Sequence, residues 1–367
     1  MEINLNRTDF VKALNVGGVF ANKSKVLPIL DCVKIKIKNG KGSIVSMDGE
    51  NAINKRFDII DADMDGTICV GYKDLIQYVK LIKDMMFTMR TIDDKKLVEI
   101  IHSKGKTVFP MMNEEEFPKM NMDDKIAEFK VSSALLNNWI LDASKFTSNE
   151  ELRPAFTGVY FYLEGGEFGF CSTDGRKLIT DNVHLDGDCS NFNFIINAQS
   201  LMPICNSLQG SDEVEVRVGD RNTSFVTNDT FITARNIDAK YPNFKMIIPK
   251  DNNIEIKVSK DDFLSAIERS KLTASVSTLV KLNVENNHIV VESQDIDFNK
   301  KSKENVDCES NGNITIGFSA TNIIDCLSTI NTDTFTMRLK NESTAALFYE
   351  NGGENRKEIL LMPMLIN

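Results

Sequence analysis

The 367-residue chain contains seven cysteines and no pattern that pairs them. Cys32, Cys69, Cys171, Cys189, Cys205, Cys308 and Cys326 stand singly, mostly beside apolar residues, with neither C-x-x-C nor metal-ligand spacing. That excludes a zinc module of ordinary spacing and reads as buried, reduced thiols in a cytoplasmic protein. Long apolar runs are missing too. None approaches the ~20 residues of a membrane span, and Met1-Glu2-Ile3-Asn4 lacks the basic and apolar regions of a signal peptide. Positive charge is scarce. With 43 Lys and Arg against 53 Asp and Glu, the net charge is -10. This excludes a generic basic nucleic-acid binder but leaves room for contact through one restricted surface. The three histidines, His102, His184 and His288, fall in no nucleophile-elbow or zinc spacing, and no G-x-x-x-x-G-K-[ST] is present, so ATP is not hydrolysed by that route. There is no low-complexity tract. The expectation is a protein that is not an enzyme and uses no cofactor or metal.

What is present is a threefold repeat. Hydrophobic content of 42% and charged content of 26% are those of a soluble globular chain, and landmarks recur in one order with a period of about 120 to 127 residues. Leu5, Val131 and Val258 are each followed by apolar residues at fixed spacing (Phe10 and Leu14; Leu136 and Ile140; Phe263 and Ile267). A Ser-x-Asp turn follows at Ser46–Asp48, Ser172–Asp174 and Ser293–Asp295, then a second helix around Leu75, Leu201 and Ile323. Because Asp48, Asp174 and Asp295 hold the same place in every repeat, they read as turn residues rather than catalytic carboxylates.

Polar linkers at 121–125 and 249–253 bound the repeats, giving expected domains of 1–124, 126–250 and 254–367. Each reads as strand, helix, strands, helix, strands: two helix-plus-sheet halves in an α+β arrangement. Asn39-Gly40, Gly165-Gly166 and Gly352-Gly353 read as hairpin turns. Ser132 or Ser133 and Ser259 read as helix N-caps. Pro203 must lie near the first turn of its helix or kink it. The polar stretch 300–313 reads as a mobile loop.

Five stretches then carry a resemblance over the whole length: Leu27-Pro28-Ile29-Leu30, Arg153-Pro154-Ala155-Phe156-Thr157-Gly158, Ser172-Thr173-Asp174-Gly175-Arg176-Lys177-Leu178, Tyr241-Pro242-Asn243-Phe244-Lys245 and Leu361-Met362-Pro363-Met364. Together the chain resembles the bacterial β sliding clamps, the processivity subunits of DNA polymerase III. The resemblance implies a DNA sliding clamp: a head-to-tail homodimeric ring of six units, sheets outside and helices lining a hole around duplex DNA. Such a ring tethers DNA polymerase and is loaded by a clamp loader, both partners docking short apolar peptides.

Carried over by matched position, the implied peptide pocket comprises Phe156, Thr173, Gly175, Arg176, Lys177, Leu178, Pro242, Met246, Ile247, Thr344, Ala346, Leu360, Leu361, Met362, Pro363 and Met364. Its flexible methionines suit several different peptides, and Arg176 and Lys177 are expected at the rim. Met246, Asn322 and Leu365 depart from the residues common in the family. The implied DNA-facing residues are Lys12, Lys23, Lys25, Lys73, Lys80, Lys83, Lys145 and Arg269, with Arg7, Lys260 and Lys271 also on the helices. The second helices of repeats two and three carry no Lys or Arg, so direct affinity for DNA is expected to be weak, and no base is read. The implied joint between subunits sets Thr107, Val108 and Phe109 against Leu272 and Thr273. Two other classes stay open at this point: a clamp-like interaction protein that no longer encircles DNA, and an enzyme of three α+β domains.

Overall fold

The structure is a computed structural model that describes residues 1–21, 27–92, 96–119, 125–185, 190–208, 210–352 and 356–366. Lys23 and Lys25, the linker residues 121–124, Cys189 and Gly353 lie outside the described residues.

Strands hand over to helices through capping side chains. The strand Glu2–Asn6 ends on Asn6, whose side-chain oxygen accepts from the backbone N–H of Thr8 at 2.9 Å and of Asp9 at 3.2 Å, starting α1 (Arg7–Gly17). α2 spans Tyr72–Leu81. Ser132, rather than Ser133, caps α3 (Ser133–Ser144) by accepting from Leu135 N at 3.5 Å. α4 (Ala198–Ser207) carries Pro203 in its second turn rather than its first. Ser259 caps α5 (Lys260–Lys271) at Asp262 N, and Ser319 caps α6 (Ala320–Leu327) at Asn322 N, at 3.4 and 3.3 Å. Each repeat thus contributes two helices among the described residues.

By internal contacts the chain divides into two units, 1–137 with 199–236, and 138–198 with 237–367. In the first unit, an eight-stranded antiparallel sheet continues across a join between repeats: Ala52–Asp58 pairs with Thr230–Arg235, Ile53 opposite Ile232. A five-stranded sheet, whose end strand is Gly105–Pro110, completes it. The two sheets and both helices α1 and α2 share one core, in which Phe10, Leu14, Leu75, Val79, Ile35, Ile44 and Phe87 are fully or nearly fully buried.

In the second unit a twelve-stranded antiparallel sheet crosses another join, where Lys177–His184 pairs with Glu358–Leu361 and Leu178 stands opposite Leu360. Trp139 on α3 lies between Phe168 and Phe170, with ring centroids at 5.5 and 5.1 Å, and donates its indole N–H to Asp181 at 3.0 Å. α5 and α6 pack against each other, burying Phe263, Ile267, Ile323 and Leu327. Gly165 and Gly166 adopt φ of +60° and +85°, the two-residue turn that joins Gly158–Glu164 to Glu167–Thr173.

The stretch expected as a mobile loop is instead an eleven-residue strand, Lys300–Ser310, paired with His288–Asp295. Its ladder hydrogen bonds require no apolar side chain. One face is solvated, and the inward face is filled by half-buried Ser302, Glu304 and Cys308 and fully buried Val306, so no hydrophobic alternation marks it.

The repeated aspartates are turn residues. Asp48 accepts from the N–H of Glu50 and Asn51, Asp174 from Arg176 and Lys177, and Asp295 from Phe298. The serine two positions earlier does something the sequence alone did not reveal. Ser172 Oγ donates to Ala143 O, and Ser293 Oγ to Ser270 O, tying the third strand of the repeat to a carbonyl in the last turn of its first helix. Ser46 Oγ instead accepts from Phe20 N, just beyond α1.

Candidate functional site

The C-terminal strand Glu358–Leu361 organises the first candidate site, wholly within the second unit. Its neighbour begins at a tight turn. Asp174 accepts from the N–H groups of Arg176 at 2.8 Å and Lys177 at 2.9 Å, and Thr173 Oγ1 donates to Lys177 O at 2.7 Å while accepting from Gly175 N at 3.0 Å. Gly175 has φ +88°, a conformation L side chains rarely adopt. Beyond Leu361, Met362 N donates to Arg176 O at 2.8 Å and Met364 N to Gly317 O at 2.7 Å. The tail is therefore stretched from that turn to the strand Ile314–Ser319.

The sixteen carried-over positions sort by exposure. Thr173, Lys177, Leu178, Ala346, Leu360 and Leu361 are buried; Phe156, Thr344, Pro363 and Met364 are half-buried; Gly175, Arg176 and Pro242 are exposed. Met246, Ile247 and Met362 expose 80%, 56% and 43% of their surface, and Leu365, just beyond Met364, exposes 88%. These are large apolar side chains held in water. Leu178 and Leu360 belong to one core with Tyr241 and Phe244, the residues flanking Pro242 and Asn243. Tyr241 stacks on Tyr160 at 4.6 Å, meets Phe156 edge-on at 6.4 Å, and donates its hydroxyl to Cys171 O; burial pushes its phenol well up. Sequence reading left Tyr160, Tyr241 and Arg153 out of the pocket, the last with its guanidinium 3.7 Å from where a Cβ on Gly175 would stand. Arg153 and Tyr241 open two of the stretches that carry the resemblance, and Tyr160 lies two residues beyond one of them.

Lys177 is a correction. It was expected at the rim beside Arg176, but it pairs with Asp325 on α6 and sits 5.4 Å above the Phe146 ring, its side chain 7% exposed. The two-residue period of the strand is the reason. Lys177, Ile179 and Asp181 share the helix-facing side, and Asp181 meets Trp139 there.

The candidate nucleic-acid surface lies on the helices. Lys12 on α1, Lys73 and Lys80 on α2 and Lys83 just beyond it are exposed and form no ion pair among the described residues. Arg269, Lys145 and Lys260 are engaged within the chain. Arg269 donates Nε and Nη2 to Glu304 at 3.0 and 2.8 Å, Lys145 lies 3.8 Å from Asp142 and donates to Ser328 O, and Lys260 donates to Ile330 O.

At the implied joint, Thr107, Val108 and Phe109 do lie on an end strand, Gly105–Pro110. Leu272 and Thr273 do not: they follow the end of α5, Leu272 being 77% exposed. The open edge in the third repeat belongs to Lys300–Ser310. Residues 300–307 pair only with His288–Asp295 among the described residues, because Ile254–Ser259 engages just Cys308–Ser310.

Comparison with known proteins agrees in order and extent. The N-terminal, central and C-terminal domain models of the DNA polymerase III beta subunit match residues 1–122, 130–243 and 245–365. The beta sliding clamp of Haemophilus influenzae is 22% identical over 372 residues, covering 99% of this chain and 100% of that protein. The beta subunit from the DNA polymerase of Streptococcus pyogenes superposes with a TM-score of 0.95 at 20% identity, and the Pseudomonas aeruginosa sliding clamp bound to griselimycin does so with the same score and identity, each covering 100% of both chains. Matched in all three of its repeats by successive domains of one family, the chain belongs to the DNA polymerase III beta subunits, the bacterial beta sliding clamps.

Proposed function

We propose that the chain is a DNA sliding clamp, a processivity factor rather than an enzyme, whose three repeats (1–124, 126–250 and 254–367) are its domains. The observation that carries this reading is the repeat itself: one helix-and-sheet unit used along the whole chain, with sheets that run on across the joins and open strand edges in the first and third repeats. Two copies meeting head to tail, Gly105–Pro110 of one beside the open edge at 300–307 and Leu272 of the other, close six units into a ring. Such a ring encircles duplex DNA in the cytoplasm without reading its sequence. The exposed apolar side chains around the C-terminal strand receive a short apolar peptide from DNA polymerase and from the clamp loader.

The few unpaired lysines on the described helices give each chain little hold on phosphate. Retention must then come from topology. With a loader and ATP, the protein should stay on nicked circular DNA and slide off linear DNA with free ends. Equal retention on both would mean an interaction protein that no longer encircles DNA.

A further inference from the structure

On the other side of the segment that carries Met246 and Ile247 lies a cavity of about 480 Å3. Its floor is the outer face of the twelve-stranded sheet, where Thr180 pairs with Glu358, and residues 244–252 line it from above. Nothing in the peptide-binding reading uses it, and its volume is that of a small-molecule pocket.

One acceptor at this cavity, Glu358, lacks a donor, and a second, on Asn252, is closed off behind the wall. Glu358 is half-buried, and its carboxylate takes no hydrogen bond and no ion pair among the described residues; burial pushes its pKa up. Asn252 donates both N–H groups of its amide, to Arg338 O and Ala345 O at 2.9 Å each. That fixes the orientation of the amide, and its Oδ1 is buried without a partner. Leaving the Glu358 carboxylate unmatched is costly, so a ligand that supplies donors is favoured.

Aromatic walls surround the carboxylate. Tyr162, Phe244 and Tyr349 line the cavity, and the Arg338 guanidinium already lies 5.0 Å from the Tyr349 ring centre. Of the three cations at the cavity, Lys245 is held by Glu164 at 2.5 Å and Arg338 by Glu255 at 2.9 Å. The third, Lys250, is exposed and unpaired among the described residues, and its charge partly offsets the effect of burial on the Glu358 carboxylate. The charge left inside is that of Glu358.

We infer that this cavity is a second binding site, which takes a guanidinium group between the Glu358 carboxylate and the aromatic walls. A guanidinium presents five donors in a plane and stacks on aromatic rings, matching both features. The group comes from an arginine of a bound partner protein or from a free small molecule.

The probe is N-acetyl-L-arginine amide, titrated into the full-length protein by calorimetry. N-acetyl-L-citrulline amide, which keeps the shape and most donors but carries no charge, is the control. The arginine amide should bind at least tenfold more tightly than the citrulline amide, and Glu358→Gln should remove that preference. Glu358→Gln deletes no packing atom, and its melting curve checks the fold. A Tyr349→Leu variant should weaken the arginine amide severalfold by a separate route. Saturating arginine amide is then tested against binding of a polymerase peptide. Competition assigns the guanidinium to the same partner, and its absence assigns a free ligand. Equal binding of the two amides, unchanged affinity in Glu358→Gln, or no binding at all would overturn the proposal and leave a cavity that holds water.

Discussion

Arg176 and Lys177 follow each other at the start of a strand, and the alternation of side chains sends one to water and the other to Asp325 and Phe146. The two lysine-like charges therefore have different work. Removing Lys177 leaves Asp325 without its partner, and Asp325 keeps 31% of its surface in water, so Lys177→Ala should cost about 1–3 kcal/mol rather than the full penalty of a buried pair. Arg176, exposed at the rim, should favour peptides with an acidic flank, and Arg176→Ala should leave the melting temperature unchanged while abolishing that salt-sensitive preference. Thermal melts and peptide titrations at two salt concentrations check both. Glu358 makes a pH prediction. Its folded pKa lies above its ordinary value because burial disfavours the charged form. Such a group binds its proton more tightly when folded, so it contributes stability at low pH that is lost as pH rises through the raised pKa. Glu358→Gln should accordingly melt above the wild type at pH 8, with the gap closing as pH falls toward the ordinary range of glutamate.

The elements divide into those whose residues announce them and those whose residues do not. α1, α2 and α5 were legible because their apolar residues recur at helical spacing, in α1 and α5 after a capping side chain, Asn6 and Ser259. Lys300–Ser310 was not legible, because a strand flanked by neighbours on one face and water on the other needs no apolar alternation, and local sequence holds no record of which strands will flank it. The open strand edge in the third repeat was missed for the same reason. The serine of each Ser-x-Asp was visible as a repeat, yet its tie to the helix spans 26 to 29 residues in the first two repeats, beyond any local pattern. The pocket's floor was legible through the resemblance, but the inward turn of Lys177 depended on register. At this scale the peptide site is testable. Met364 is anchored by its backbone N–H to Gly317 O and Met362 by its own to Arg176 O, so cutting both side chains to alanine leaves the tail in place. Met362→Ala with Met364→Ala should weaken a labelled polymerase C-terminal peptide by about tenfold or more in fluorescence polarisation, with the fold intact.

For the whole molecule, the net charge of -10 and the few unpaired lysines on the described helices set the terms. A surface this sparsely positive binds duplex weakly, and with few phosphates neutralised that binding falls only gently as salt rises. A ring does not need strong contact, but it does need both joints closed. Leu272 offers a clean way to open them. It is 77% exposed in the single chain, beyond the end of α5, so Leu272→Asp removes no core contact and should leave the melting of the monomer fold untouched. At the proposed joint the same aspartate would be buried without a partner, which is strongly unfavourable. Sedimentation or native mass spectrometry should therefore show a dimer for the wild type and monomers for Leu272→Asp at micromolar concentration. Polymerase peptide affinity should be equal in the two proteins, since the peptide site lies within one unit of one chain. Retention on nicked circular DNA should be lost in the variant alone. A wild type that is monomeric, or a monomeric variant retained as well as the wild type, would separate peptide binding from encirclement and remove the ring from the mechanism.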